Sequence, residues 1–279
     1  ISFLFVTGII FLPIGVAMLG SANNLYTQIV QYNGKDTPSA TTAMCTTAGV
    51  NCKLKFTVEN DVQGDLYLFY ELTNYHQNNI KYSASVNWQQ MMGKSDVPQS
   101  DLDQSCNPAT TTDDLKSKYP SVNPGQTLNP CGLIASSFFT DIYTFTNDNT
   151  VNGQANKAIT IDKNDITSTI DKRLFQQPMD PSSSKFDSTN AVACPGPNPP
   201  SAGEFSSVLT PAQCTSYNLP SGCKCYNDGT TQTAFYYPQD DTTTYLYEQY
   251  PNNISPLQGV TDPNFMNWMN IAARSEERR

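Results

Sequence analysis

Charge is scarce in this sequence. Only 15% of its 279 residues are Asp, Glu, Lys or Arg, against about a quarter in an average soluble domain. Its polarity comes instead from Asn, Gln, Ser and Thr. The 16 basic residues are outnumbered by 25 acidic ones, for a net charge of −9. No basic stripe is available to neutralise phosphates, which excludes nucleic-acid binding, and the acidic balance opposes broad adsorption onto anionic lipid. Histidine is rarer still, with one residue, His76. Triad hydrolysis needs an imidazole to carry the proton. His76 lies among amides in TNYHQNN with no G-x-S-x-G elsewhere, so it reads as a surface or structural hydrogen-bonder. Phosphate-cradling loops, G-x-G-x-x-G and EF-hand loops are all missing. The carboxylate doublets Asp113-Asp114 and Asp240-Asp241 are adjacent, which prevents either from flanking a glycosidic bond, and they read as solvated loop charges. The chain therefore offers no catalytic residue, no metal site and no cofactor site.

Cysteine is plentiful. Eight residues, Cys45, Cys52, Cys106, Cys131, Cys194, Cys214, Cys223 and Cys225, are present without any C-x-x-C pair. Zinc sites usually carry that spacing, so an even set without it predicts disulfides and an oxidising, extracytosolic compartment. The one sequon, Asn253-Ile254-Ser255, points to the same compartment and predicts an N-glycan on Asn253. The first nineteen residues, ISFLFVTGIIFLPIGVAML, carry no charge, and the first ionisable side chain is Lys35. About twenty apolar residues span a bilayer core, whereas a signal-peptide core is shorter and ends in a small-residue cleavage site. Residues 1–22 are accordingly predicted to form a transmembrane helix ending near Gly20, in which Pro13 is tolerable. Residues 23–279 then form a lumenal or extracellular domain.

Beyond the helix, CKLKFTVEN alternates Leu54, Phe56 and Val58 with Lys53, Lys55 and Thr57, the period of a half-buried strand. DLYLFYEL follows a turn-like NDVQGD, so 53–58 and 66–72 are predicted to pair as a hairpin. ASVNWQQMMG predicts a short helix stopped by Gly93. Asp262 reads as an N-cap with Pro263 at the first helical position, and Phe265, Trp268, Met269 and Ala272 fall on one face. The stretch 176–202 is rich in Pro, Ser and Asn and reads as loop.

Four segments together resemble the β-subunits of lipid flippases (type IV P-type ATPases), the transmembrane protein thirty or cell-division-cycle fifty type family. FLPIGVAMLGSANNL is similar to the family's "FIPIG…SNN". YLFYELTNYHQNNIKYSAS resembles "YYxLxNYYQNHRRYVxS" at Leu72, Asn74, Tyr75, Gln77, Asn78, Tyr82 and Ser85, with His76 in place of a tyrosine. PCGLIASSFFTDIYTF resembles "PCGxIAxSxFNDTF" at Pro130, Cys131, Gly132, Ile134, Ala135, Ser137, Phe139 and Asp141. NFMNWMNIAARSEERR is similar to "FxVWMRTAxLPxFRK" at Phe265, Trp268, Met269 and Ala272, but Asn270 replaces an arginine and the leucine-proline step is missing. The family's pattern continues with more extracytosolic chain and a second membrane helix, which these 279 residues do not contain.

The resemblance implies a partner rather than a reaction: a non-catalytic subunit that supports the folding, export from the endoplasmic reticulum and activity of a phospholipid-moving ATPase. The implied location is the membrane of the endoplasmic reticulum, Golgi, endosome or cell surface. ATP, Mg²⁺ and the phosphorylated aspartate belong to that ATPase. Gly8 and Gly15 on the helix, with Ala17 and Gly20, allow close approach of partner helices, and Asn74, Tyr75, His76 and Asn78 are candidate partner-binding residues. The rival functions are an independent membrane-anchored binding module and a tethered hydrolase. The expected fold is mainly β, an antiparallel β-sandwich-like domain with short helices and long disulfide-stapled loops. Its expected bridges are Cys45–Cys52 and Cys106–Cys131. The last four cysteines pair either as Cys214–Cys223 inside Cys194–Cys225 or as Cys194–Cys223 with Cys214–Cys225.

Overall fold

A computed structural model describes residues 2–23, 25–32, 45, 51–58, 62, 64–115, 123–147, 157–163, 165–178, 200–206 and 208–271. The chain divides into two compact units, Ile1–Leu68 and Phe69–Arg279. In the first, helix α1 spans Ser2–Asn23 with Pro13 inside it, one residue past the predicted 1–22. Its side chains are described over 7–22, and those from Gly8 onward are exposed, including Phe11 at 67% and Leu12 at 70%. Among the described residues, no helix is long and apolar enough to cross a membrane. Residues 25–32 follow without regular structure. The Gln28 side-chain amide donates to the Thr57 carbonyl at 3.2 Å, and a disulfide joins Cys45 to Cys52.

The hairpin expected from 53–58 and 66–72 is not formed. Residues 53–58 and 65–70 carry no strand assignment, and Leu54, Phe56, Val58, Leu66 and Leu68 are exposed.

The second unit is built from short elements. Helices α2 (Ile80–Ala84), α3 (Trp88–Met91), α4 (Gln99–Cys106), α5 (Leu133–Ser136), α6 (Thr169–Leu174), α7 (Pro211–Ser216), α8 (Leu246–Gln249) and α9 (Pro263–Met269) have at most eight residues each. Strands β1 (Thr127–Asn129) and β6 (Thr243–Tyr245) pair in parallel. Strands β2 (Phe145–Asn147) and β3 (Lys157–Ile159) pair antiparallel, as do β4 (Lys224–Asn227) and β5 (Gln232–Phe235). Three two-stranded sheets are all that the described residues form. Among the described residues the fold is one of short helices and minimal sheets held by disulfides and side chains, without the expected β-sandwich. Helices this short have little cooperativity of their own, so their ends need caps. Asn87 caps α3, Thr210 and Gln213 form a capping box on α7, and Asp262 accepts from the Asn264 and Phe265 amides to start α9. Gly93 adopts φ +85° just past α3, the left-handed conformation that stops a helix.

The main core joins Val86, Met91, Ile134, Phe138, Phe235, Tyr245, Tyr247, Tyr250, Phe265 and Trp268. A second cluster gathers Leu102 and Leu128 around the Cys106–Cys131 bridge. A third gathers Leu209, Leu219 and Ala234 around Cys214–Cys223. That bond excludes the alternative pairing with Cys225. Cys225 is itself disulfide-bonded, and Cys194, its partner in the nested scheme, lies outside the described residues, as does Ala272.

At Gly132 (φ +105°), an added Cβ would lie 2.2 Å from the Ser85 carbonyl oxygen. Both the left-handed backbone and the contact forbid a side chain. Gly132→Ala should destabilise the chain by on the order of 3 kcal/mol, read as a lowered urea midpoint against the parent chain.

Candidate partner-binding site

The three family-like segments of the second unit meet in the main core. Asn74 takes φ +59°, a left-handed turn position that Asn tolerates better than most residues. From there the chain runs without regular structure to α2, and its side chains alternate. Tyr75 is half-buried and Gln77 is buried, whereas Asn74, His76 and Asn78 are exposed. The inward residues converge on the Tyr82 hydroxyl, which lies 3.1 Å from the Tyr75 hydroxyl and accepts from Gln77 Nε2 at 3.3 Å. It also sits 2.8 Å from Ser137 Oγ, on the second segment. The third segment closes the set. The Trp268 indole N–H donates to the Ile134 carbonyl at 2.8 Å, and its ring packs 5.8 Å from Tyr75 and 6.3 Å from Phe138. Each buried hydrogen bond is worth about 1 kcal/mol net, and each edge-on aromatic pair adds roughly 0.5–1.5 kcal/mol. Tyr75 thus serves the core, and Asn74, His76 and Asn78 face solvent.

The same segments satisfy an irregular backbone. Gln90 is 2% exposed. It donates from Nε2 to the Leu128 carbonyl at 3.0 Å and accepts the Cys131 amide on Oε1 at 2.9 Å. Ser85 Oγ donates to the Cys106 carbonyl at 2.8 Å and accepts the Leu133 amide at 2.9 Å. Pro130–Asp141 is therefore chiefly a packing segment, as is the inward half of 74–85.

Gly8, Gly15 and Gly20 on α1 have nothing within 4 Å of a built Cβ, and Ala17 is exposed beside them. Asn253 is half-buried, with its side-chain N–H donating to the Thr140 carbonyl at 2.6 Å. Among the described residues, no three His, Cys, Asp or Glu side chains gather as a metal site. Asp114 accepts from the backbone and hydroxyls of Thr110 and Thr111. Burial pushes its carboxyl up, but those four hydrogen bonds outweigh burial and hold it below its ordinary value.

One cluster escaped the sequence reading. Asp240 is not a solvated loop charge: its carboxylate pairs with Lys224 Nζ at 2.5 Å, and Glu248 contacts the same ammonium at 3.3 Å. The signal was present in Cys223-Lys224-Cys225. On a strand, a side chain between two buried cysteines must face the other side of the ribbon.

Capped short helices, local disulfides and an aromatic core tied by buried amides and hydroxyls define a disulfide-stapled domain of small elements. The sequence profile of the LEM3 (ligand-effect modulator 3) family / CDC50 family matches residues 18–279, and the chain belongs to that family. It is 30% identical over 140 residues to cell cycle control protein 50A of Bos taurus, covering 49% of this chain and 35% of that one. It is 35% identical over 92 residues to the phospholipid-transporting ATPase accessory subunit CRF1 of Saccharomyces cerevisiae, covering 33% and 20%. Against cell cycle control protein 50C of Mus musculus it is 28% identical over 196 residues, covering 68% and 52%. The chain thus spans about a fifth to a half of the length of these relatives.

Tyr82→Phe keeps the ring but removes the hydroxyl shared by Tyr75, Gln77 and Ser137, and should cost about 1–2 kcal/mol. His76→Ala and Asn78→Ala, on the outward side, should stay within ~0.5 kcal/mol of the parent. Urea denaturation of the three variants measures the contrast.

Proposed function

We propose that the chain is part of a non-catalytic accessory (β) subunit of a type IV P-type ATPase that moves phospholipid between leaflets, supporting the ATPase's folding, export and activity. The observation that carries this is family membership, joined to the similarity to a yeast accessory subunit of a phospholipid-transporting ATPase. The arrangement of the matched segments supports it: they converge on packing and hydrogen bonding rather than on a cleft with a nucleophile or a base.

In this proposal α1 is a transmembrane helix whose uncharged surface and small residues Gly8 and Gly15 pack against helices of the ATPase. The rest of the chain faces the lumen or the cell exterior, where its outward Asn74, His76 and Asn78 suit a polar, hydrogen-bonded interface. Two contact points on one tethered chain reinforce each other through effective concentration. Deleting either α1 or the remaining domain should abolish co-purification of the ATPase. Unchanged ATPase recovery and unchanged lipid transport with both deletions would refute the two-point clamp.

An N-glycan on Asn253 belongs to the same proposal. The half-buried side chain gives up one N–H to the sugar and retains a second for Thr140. Pro256, just after the sequon, lowers occupancy. Enzymatic deglycosylation should therefore sharpen and speed a fraction of the chain on electrophoresis, and Asn253→Gln should remove that fraction.

A further inference from the structure

The β4–β5 ribbon has two working faces. Cys223 and Cys225, with Ala234 from β5, look into the disulfide cluster. Phe235, the cross-strand partner of Lys224, belongs to the main aromatic core. Lys224 is 9% exposed, so its ammonium must be matched where it sits. Two elements supply the match: the turn before β6 with Asp240, and α8 with Glu248 and the Tyr247 hydroxyl at 3.2 Å. The rings of Phe205 and Tyr247 flank the ammonium at 5.6 Å and 5.7 Å. Tyr247 also donates to Asp240 Oδ1 at 3.0 Å, and Glu248 Oε2 accepts the Tyr245 amide at 3.0 Å. Burial first, and then the carboxylates, push the hydroxyls of Tyr245 and Tyr247 far upward. Tyr237, beside Tyr245, is pushed up in the same way. These tyrosines stay neutral donors, so among the described residues the ionic balance is one ammonium against two carboxylates.

We propose that Lys224, Asp240 and Glu248 form a proton-operated clasp that seats the β4–β5 ribbon on the aromatic core more firmly in mildly acidic solution than at neutral pH. With both carboxylates ionised, the cluster holds one negative charge in excess inside a largely apolar wall. Asp240 sits nearer the ammonium, so Glu248 carries the excess. Burial and then the Asp240 charge raise the Glu248 carboxyl above its ordinary 4.5, against the opposing pull of Lys224 and the Tyr245 amide. A proton on Glu248 leaves a one-to-one Lys224–Asp240 pair. Between 4.5 and the raised folded value the folded chain binds more protons than the unfolded one. The added stability is therefore present at the acidic end of that window and is lost as pH rises through it. The fold's aqueous face would then tighten in an acidifying compartment, a consequence that rests on the extracytosolic placement proposed above, whereas the clasp itself does not.

The test is thermal unfolding of the whole purified chain in non-ionic detergent between about pH 5 and about pH 7.5. Three variants accompany the parent: Glu248→Gln, Asp240→Asn and the exposed control Glu204→Gln. Glutamine and asparagine keep the oxygens that accept from Tyr245 and Tyr247, so each removes charge with little change of shape. The midpoint of the parent and the Glu204 variant should fall as pH rises; the Glu248 variant should lose most of that slope and the Asp240 variant part of it, since burial of Glu248 remains. At the neutral end, Glu248→Gln should unfold at a higher temperature than the parent. Hydrogen exchange of the β4 and β5 amides should speed up with pH, beyond its intrinsic pH dependence, in the parent but not in Glu248→Gln. A flat parent profile, or a Glu248→Gln profile as steep as the parent's, would overturn the clasp. Should Glu248→Gln fail to fold, Asp240→Asn decides by the same slope. Because no ATPase is present, failure here leaves the subunit proposal standing, and failure of co-purification leaves the clasp standing.

Discussion

Every buried peptide group needs a hydrogen-bond partner, and the described residues of the second unit, with three two-stranded sheets and helices of at most eight residues, cannot supply most of them from regular ladders. The second unit meets this demand with buried side chains. Gln90 is the clearest case, since its amide occupies both the Leu128 carbonyl and the Cys131 amide. Ser85 does the same between the Cys106 carbonyl and the Leu133 amide, and the Trp268 indole and Tyr250 hydroxyl cover carbonyls of α5. These are tertiary bonds between residues far apart in sequence. The elements they hold would not persist alone, so local structure and overall packing stand or fall together.

This explains what was legible beforehand. Caps and stops depend on a few neighbouring residues, so α3 with Gly93 and α9 with Asp262-Pro263 could be read directly. The Cys106–Cys131 bridge was equally accessible. The runs 53–58 and 66–72 were read as paired strands because they alternate, but alternation reports a face and not a ladder, and 53–58 and 65–70 carry no strand assignment. The segment 74–78 was read as one block, whereas the structure splits it by side: Tyr75 and Gln77 enter the core and Asn74, His76 and Asn78 leave it. Asp240 was misread because the twin-aspartate pattern says nothing about Lys224, sixteen positions earlier.

The β4–β5 ribbon shows how two cores of different chemistry can share one wall. On one side covalent bonds restrict the chain, with stabilisation of roughly 3 kcal/mol for a loop of about fifteen residues. On the other, aromatic rings surround a matched set of charges. Removing the lone ammonium of Lys224 would strand both carboxylates away from water, which costs more than the pair contributes when intact. The alternating side chains of four residues, Lys224–Asn227, keep these environments apart.

The three described disulfides join residues 7, 25 and 9 positions apart. Eight cysteines permit roughly a hundred complete pairings, and an oxidant acting on an extended chain has no template for choosing among distant ones. Short spans change that search, because partner thiols meet at high local concentration as soon as their own stretch of chain is accessible. Each bridge can therefore mature in order of synthesis, from Cys45 toward Cys223, without waiting for the far end. A chain built this way commits its cross-links early and leaves only the assembly of the shared aromatic core to the end.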